Sequence, residues 1–331
     1  MSEQSIEIRS DQMVPVLINE FLSAQRAPVN IYVRIGGDRY VQILKAGDET
    51  HLDRLQQYQE KEVERLFVLK EDYKVLVDQD LSIGGILLKR ADLENPRKIQ
   101  VLNQMSKVVF DELGSMGFSP AVFAHAKVLT KSTIQMVEAK SGLGDLVQAL
   151  GAAGDELVAH SIAVSAVSVM IAKQMGWVMA PTLEKLALGG LLHDIGLKEM
   201  PPDLLKRPRA QWTHEEVQVY ETHPFRAVKA LQSLGDVPDD LISIVYEHHE
   251  DTAGQGYPRH IKGVRIHPLA KVVALANGFA ELILKGVNNP SPRDALGALG
   301  YIERTLGQPY QKEAFRALQD LVQSKKATKA A

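Results

Sequence analysis

The chain has 331 residues, of which 45% are hydrophobic and 24% charged, and its formal net charge is -3. This is the composition of a globular protein, and its length allows two domains. With no block of five or six like charges, it does not resemble a binder of nucleic-acid polymers. The absence of cysteine excludes disulfides and thiolate metal sites.

The N-terminus, MSEQSIEIRSDQ, is polar and acidic, which is not typical of a secretory signal. No run approaches the roughly 18 uninterrupted apolar residues that a membrane span requires. We therefore expect a cytoplasmic protein without a membrane segment.

Residues 1–90 are predicted to form a small α/β domain. The segment NIYVRIGGDRYVQIL alternates apolar and polar residues on both sides of Gly36-Gly37-Asp38, which predicts a β-hairpin. HLDRLQQYQEKEV has a helical pattern, ERLFVLK predicts a short strand, and EDYKVLV opens another helix. No motif in this domain indicates a particular chemistry, so a sensory or partner-binding role is expected.

Beyond Pro96 the apolar residues recur three and four positions apart, which predicts helices and no strand. We expect a helical linker over residues 91–145 and an all-α helical bundle over residues 146–325. The predicted fold class is therefore α+β overall, with the small α/β domain followed by the bundle.

A histidine and an aspartate stand side by side in LEKLALGGLLHDIGL, which has the pattern of a helix facing a core. An ionised carboxylate there is costly unless it is paired. A single histidine in an apolar helix is usually a core residue, but this bundle carries five candidates besides the aspartate. They are His160, His193, His223, His248 and His249, with Asp194.

Imidazole and carboxylate groups bind transition metals, and helical bundles build such sites from inward-facing side chains. The adjacent histidine and aspartate suit two metals, because the histidine can bind one and the carboxylate can bridge both. Two metals about 3.5–4 Å apart can activate a water and clamp the oxygens of a phosphoryl group. The sequence therefore indicates that Asp194 pairs with metal.

The ordered histidines, followed by GQGYP at residues 254–258, resemble the HD-GYP subgroup of the HD metal-dependent phosphohydrolases. The resemblance covers roughly residues 150–290. LGGLLHDIG, LLKRP, THPFRAV, HHE, GQGYPRHIKG and IHPLAKVVALA follow in family order. Members of this subgroup are bacterial enzymes that hydrolyse the second messenger cyclic di-GMP.

The resemblance implies a role for each matching position. His160 and His193 would bind the first metal, Asp194 would bridge the two metals and be the catalytic residue, and Asn277 stands at the last carboxylate position. The remaining implied positions are His223, His248 and His249 for the second metal, Glu156 for a third one, and Gly254, Gly256, Tyr257 and Pro258 for the signature loop. The resemblance also implies two divalent ions, with iron or manganese favoured over zinc. Whether Tyr257 contacts substrate or the loop is only structural stays open, and so does whether Glu156 binds metal or is an ordinary solvated glutamate.

Several positions depart from the family pattern. Leu197 stands where the family has a lysine, with Lys198 one residue later, and Ala163 and Ala253 replace an arginine and an aspartate. Asn277 replaces an aspartate and brings no negative charge, and LKGVNNPSP replaces an arginine-rich segment that grips substrate phosphates. Lys285 is the cation left in that segment, and Lys198, Lys262 and Lys271 are further candidates for substrate contact.

Two functions are consistent with these residues. The first is a metal-dependent phosphodiesterase of reduced activity that hydrolyses cyclic di-GMP or a related cyclic dinucleotide. The alternative is a catalytically degenerate member that binds metal and nucleotide as a signalling or docking module, meeting a protein partner through the GYP loop or the N-terminal domain. A purely structural, metal-free site is the third and least favoured possibility.

Overall fold

The computed structural model describes residues 5–18, 21, 26–50, 52–138, 143–151, 155–304 and 310–323. The chain divides into two compact units, Met1–Ile83 and Gly84–Ala331. The predicted division into residues 1–90, 91–145 and 146–325 stays a prediction.

The N-terminal unit contains a five-stranded antiparallel sheet with the strand order β1-β4-β3-β5-β2. The strands are β1 (Ser5–Glu7), β2 (Met13–Leu17), β3 (Ile31–Gly36), β4 (Arg39–Leu44) and β5 (Arg65–Leu69). Helix α1 (Leu52–Glu60) lies between β4 and β5, and α2 (Lys70–Lys89) follows β5. The predicted hairpin is β3–β4, and Gly37 in its turn has a φ of 51°, which glycine adopts without strain.

Two strands were not predicted from the sequence. β1 has only three residues, and β2 contains Pro15, which weakens a strand pattern because proline cannot donate to the sheet. The fold resolves this difficulty by placing β2 at the edge of the sheet, where proline is tolerated. One face of the sheet buries Met13, Tyr32 and Tyr40, and the Tyr40 ring meets that of Phe67 edge-on at 5.3 Å.

The second unit is helical, and its described residues contain no strand beyond one isolated bridge between Gly286 and Asn289. The chain is therefore α+β overall with a helical C-terminal region, as predicted. Its helices after α2 are α3 (Asn95–Met116), α4 (Pro120–Glu138), α5 (Leu143–Leu150), α6 (Glu156–Gln174), α7 (Ala180–Leu192), α8 (Pro202–Leu205), α9 (His214–Tyr220), α10 (His223–Gln232), α11 (Asp239–Glu247), α12 (Pro268–Ile283), α13 (Ala295–Arg304) and α14 (Lys312–Gln323).

Helix α6 runs through the core of this unit. Its N-terminus is capped by the Asp155 side chain, which accepts a hydrogen bond from the Val158 amide at 3.0 Å. Among the described helices it alone has the length and apolar composition of a membrane span, but 78% of that stretch is buried inside the protein. Such burial is typical of a core helix.

Helices α6 and α7 pack closely because Gly190 lacks a side chain. A Cβ atom at Gly190 would lie 2.8 Å from the backbone nitrogen of Ser165. The Ser165 hydroxyl donates to the Ala187 carbonyl at 2.7 Å, which ties the two helices together. This contact places the C-terminal end of α7 against the part of α6 that carries His160.

The sequence pattern places His193 and Asp194 inside a helix, and this expectation is wrong in one respect. Helix α7 ends at Leu192, His193 caps it, and Asp194 precedes a short 3-10 helix over Ile195–Glu199. The apolar periodicity continues through the turn because Ile195 and Leu197 are also buried. Periodicity therefore could not locate the end of the helix.

Candidate metal centre

Most of the predicted ligands lie at helix ends. His193 and Asp194 follow α7, His223 is the first residue of α10, and His248 and His249 follow α11. His160 and Asn277 instead lie within α6 and α12. A helix end can aim a side chain into a shared interior point without burying the polar groups of a long loop.

Gly196, two residues after the aspartate, allows these ends to meet. A Cβ atom at Gly196 would lie 2.1 Å from the His223 carbonyl oxygen and 2.9 Å from the Ala227 nitrogen. The 3-10 helix therefore packs directly on the first turn of α10. This approach brings Asp194 to His223.

Asp194 stands between two groups of ligands. Its Oδ2 atom lies 3.3 Å from His193 Nε2 and 3.8 Å from His160 Nε2. The side chain of Asn277 lies beside His160, and we call His160, His193 and Asn277 the cavity-side group.

The other carboxylate oxygen faces a second group. Asp194 Oδ1 lies 3.1 Å from His223 Nε2 and 3.6 Å from His248 Nε2. His249 offers a further nitrogen within 4.8 Å of these atoms, and we call His223, His248 and His249 the loop-side group. Each oxygen of one carboxylate thus faces a separate set of donors, which is the arrangement expected of a bridging ligand.

Backbone carbonyls orient three of the imidazoles. The Nδ1 atoms of His193, His223 and His248 lie 2.8, 2.8 and 2.7 Å from the carbonyl oxygens of Gly190, Tyr220 and Val245. Since a carbonyl only accepts hydrogen bonds, each Nδ1 carries the proton. In the neutral ring, Nε2 then presents its lone pair to the centre of the site, as a metal ligand does.

The ligand nitrogens lie close together in pairs, and several polar atoms of the site have no partner in the protein. His160 Nε2 and His193 Nε2 are 3.2 Å apart, and His223 Nε2 and His248 Nε2 are 3.3 Å apart. Nine buried side-chain atoms of the described residues have no hydrogen-bond partner, and three of them belong to this site: Asp194 Oδ1, His249 Nε2 and Asn277 Oδ1. Leaving such atoms unsatisfied costs about 1–3 kcal/mol each, and a cation in each group would give them a partner. The residues present therefore fit a divalent metal.

The electrostatics favour the ligand forms of most of these groups. The exception is His193, because burial would lower its pKa but the neighbouring Asp194 carboxylate holds it above its ordinary value. Burial would raise the pKa of the Asp194 carboxyl, but the imidazoles of His193, His223 and His248 hold it well below its ordinary value. Burial lowers the pKa of His248 to about 4 and also lowers the pKa values of His160 and His249. An ionised carboxylate among neutral imidazoles is the state that binds a metal.

The signature loop covers the loop-side group. The Tyr257 ring stacks on His249, with centroids 4.5 Å apart and an interplanar angle of 25°. Gly256 permits this contact, since a Cβ atom there would lie 2.2 Å from the His249 carbonyl oxygen. The geometry gives Tyr257 a packing contact with a predicted ligand.

Two buried glutamates, which the sequence did not single out, hold the loop in place. Glu250 accepts hydrogen bonds from the amides of Arg259 at 2.6 Å and Ile261 at 3.0 Å. Glu247 accepts from the His267 amide at 2.7 Å and from Arg259 Nη1 at 2.9 Å. Because both belong to the helix end that carries His248 and His249, the loop and these ligands form one hydrogen-bonded unit.

A cavity of about 720 Å³ opens beside the cluster and reaches His160 and Asp194. Small-molecule sites usually have volumes of about 300–1,000 Å³. One wall is apolar and is formed by Leu157, Leu197, Leu205 and Trp212. The cations that line the cavity are Arg209, Lys285 and Arg293.

Of the four lysines predicted to contact substrate, Lys285 lines this cavity. Lys198, Lys262 and Lys271 are not among its lining residues, so the geometry gives their predicted role no support. Arg209 and Arg293 were missed by sequence reasoning. Neither lies near the ligands in sequence, so no local signal could have identified them.

The structure shows what surrounds two of the residues that depart from the family pattern and one of the predicted ligands. Leu197 packs in an apolar cluster with Met200 and Tyr220, and Ala163 is fully buried. Glu156 lines the cavity, but its carboxylate accepts from the Val287 amide at 3.2 and 3.1 Å and belongs to neither ligand group. Its role as a further metal ligand stays a prediction.

Comparison with known proteins gives the family. Residues 132–313, more than half of the chain, match the HD domain family. A cyclic di-GMP phosphodiesterase of Pseudomonas aeruginosa is 30% identical over 120 residues, which are 36% of this chain and 28% of that protein. A cyclic di-GMP phosphodiesterase of Thermotoga maritima is 29% identical over 160 residues, or 48% of this chain and 42% of that protein.

A 3'3'-cGAMP-specific phosphodiesterase of Vibrio cholerae is 30% identical over 127 residues, covering 37% of this chain and 28% of that protein. The matches thus span less than half the length of each of these relatives. A solved structure, Bd1817, an HDG"Y"P protein from Bdellovibrio bacteriovorus, shares the fold with a TM-score of 0.65 at 19% identity, over 94% of this chain and 99% of that one. The chain belongs to the HD domain family, as a divergent member of its HD-GYP subgroup.

Proposed function

We propose that this chain is a metal-dependent phosphodiesterase that opens a cyclic dinucleotide, with cyclic di-GMP as the first candidate. One observation carries the proposal: the two oxygens of Asp194 face two separate donor groups beside a cavity large enough for a small molecule. The relatives that hydrolyse cyclic di-GMP and 3'3'-cGAMP support the substrate class. An intracellular second messenger as substrate would place the chain in the cytoplasm.

Each group would hold one divalent ion. His160, His193, Asn277 and Asp194 Oδ2 would hold the first, and Asp194 Oδ1 with His223, His248 and His249 would hold the second. Iron or manganese is the proposed metal, and the donors are nitrogen and oxygen atoms that suit both. Two such ions supply activation of a water and neutralisation of charge on a phosphoryl group.

The chain's own residues orient the substrate. The apolar wall with Leu157 and Trp212 excludes water beside the cluster and offers an aromatic surface to a base. Lys285 and Arg293 present positive charge to the phosphates from the segment after α12. The Arg293 guanidinium lies 4.2 Å above the centre of the Tyr301 ring, which fixes its direction.

Reduced activity is part of the proposal. Leu197 places an apolar side chain where the family has a lysine, and Asn277 brings no charge to the cavity-side group. A lost contact to developing charge typically lowers a rate by about 10²–10³. The same two residues favour the second candidate, a binding module that would contact a partner protein through the signature loop or the N-terminal unit.

Turnover separates these two candidates. The protein is purified anaerobically with iron or manganese, bound metal is quantified, and products formed from cyclic di-GMP and from 3'3'-cGAMP are resolved by chromatography. Linear product that disappears in His193→Ala establishes the enzyme. About two metals per chain without product would reject the enzyme and leave the binding module.

A further inference from the structure

The cavity wall at Leu197 lacks the lysine of the family pattern but carries an arginine from another segment of the chain. Leu197 is buried in an apolar cluster with Tyr220, and the neighbouring Lys198 is exposed and outside the cavity lining. Arg209, twelve positions after Leu197, lines the same cavity and lies 4.7 Å above the centre of the Tyr220 ring. A positive charge therefore returns to this wall from another part of the chain.

Arg209 stands close to the metal centre. Its Nη2 donates to the Tyr220 hydroxyl at 2.6 Å, and the Tyr220 ring lies 4.9 Å from that of His223, centre to centre. The Arg209 amide also donates to Asn288 Oδ1 at 2.7 Å, which fixes the backbone of this segment. One aromatic ring thus separates the guanidinium from a predicted ligand.

The guanidinium has donors left for a ligand. Nη2 also donates to Glu281 Oε1 at 3.0 Å, but neither Nη1 nor Nε has an acceptor among the described residues. An arginine has five N–H donors, so two bonds leave three. Burial would lower the pKa of Arg209, but the Glu281 carboxylate holds it above its ordinary value, and the group stays charged.

We propose that Arg209 binds a phosphate group of the substrate and takes the place of the cation missing at Leu197. The inference rests on the proposed function for the identity of that substrate. Arginine suits the task because its planar fork matches two phosphate oxygens at once, and Tyr220 and Glu281 already direct the fork. Arg293 and Lys285 line the cavity as well, but neither is linked by hydrogen bonds and ring contacts to a predicted ligand among the described residues.

Arg207 provides a matched control. It lies two residues earlier in the same segment and does not line the cavity. Its Nη2 instead donates to Glu216 of α9. Removing its charge alters the net charge of the protein by the same amount as removing that of Arg209.

The test is calorimetric binding of a phosphorothioate analogue of cyclic di-GMP to the full chain loaded with manganese. Arg209→Gln should weaken binding by about 10- to 100-fold, and Arg207→Gln by less than about twofold. Arg209→Lys should recover part of the loss, and the Arg209→Gln complex should depend less steeply on salt concentration. Metal content and melting temperature are measured on every variant, so that a misfolded protein is recognised.

Each outcome decides the proposal. Binding that is equal in the wild type and Arg209→Gln would overturn the role of Arg209 and leave the proposed function intact. Failure of the metal-loaded wild type to bind the analogue would instead overturn the proposal that the substrate is a cyclic dinucleotide. Orthophosphate binding then decides about Arg209: weaker binding by Arg209→Gln than by the wild type supports a phosphate site, and equal binding rejects it.

Discussion

The cavity-side and loop-side groups share Asp194 but differ in enclosure and in charge. The loop-side group has three histidines, lies beneath the stacked ring of Tyr257 and is tied to a loop that Glu247 and Glu250 hold. The cavity-side group has two histidines and an uncharged amide, and His160 opens onto the cavity. A metal on the loop side should therefore bind more tightly than one on the cavity side.

This difference indicates that the two groups have different roles. The loop-side group can keep its ion while substrate enters, because none of its three histidines lines the cavity. The cavity-side group can exchange ligands, because His160 and Asp194 form part of the cavity surface. Divergence from the family pattern at Asn277 and Leu197 has affected the open side, where substrate would bind.

Replacing the shared carboxylate should weaken metal binding at both groups. Asp194→Asn removes the charge on which both groups depend, so we expect bound metal to fall below about half an ion per chain and activity to drop by more than about 10³. Elemental analysis after dialysis measures the metal. The control is Asp203→Asn, whose side chain is 97% exposed and should leave metal content unchanged. Retention of both ions in Asp194→Asn would contradict the bridging role.

Disturbing the loop should weaken the enclosed group. In Gly256→Ala the new methyl would collide with the backbone of His249 and Glu250, so we expect a loss of about 1–3 kcal/mol in the free energy of unfolding. The tighter of two metal-binding events should weaken at the same time. Gly114→Ala is the control, because nothing lies within 4 Å of its Cβ position. Urea unfolding with and without metal checks both effects, and equal stability of the two variants would refute the close approach.

Adding a negative charge to the cavity-side group should bring its metal affinity closer to that of the loop-side group. Asn277→Asp adds a carboxylate to the cavity-side group, and we expect the weaker metal-binding event to tighten by about tenfold. Manganese titration against a competing chelator resolves the two events. Asn95→Asp, an exposed change at the start of α3, should have no effect. Tightening of the stronger event instead would place Asn277 in the wrong group.

The smallest expected effect concerns the Tyr257 hydroxyl. Tyr257→Phe keeps the ring that stacks on His249 and loses only the hydroxyl, which lies near the Tyr220 side chain. We expect a loss of about 1 kcal/mol in stability and less than about a threefold change in metal affinity. Tyr257→Leu, which also removes the stack, should weaken the tighter metal further. If Tyr257→Phe weakened metal binding as much as Tyr257→Leu, the stack would not be the supporting contact.

Much of the site was predictable because its residue types are unusual where they occur. Histidines and an aspartate in apolar helices require a partner, and their order along the chain matched a known family. Glu247 and Glu250 could not be recognised in the same way, because exposed glutamates near a helix end are common. Their buried bonds to the loop backbone depend on where Arg259 and His267 lie in space.

The sequence by itself determined the helical nature of the second unit, the hairpin in the first and the set of candidate ligands. These features depend on local periodicity and on residue chemistry, which are carried by short stretches of chain. The tertiary structure alone decided that each oxygen of Asp194 faces a different group, that α7 ends before His193, and that Arg209 reaches the cavity. These features depend on close approaches at Gly190, Gly196 and Gly256, and such approaches join segments that are distant in sequence.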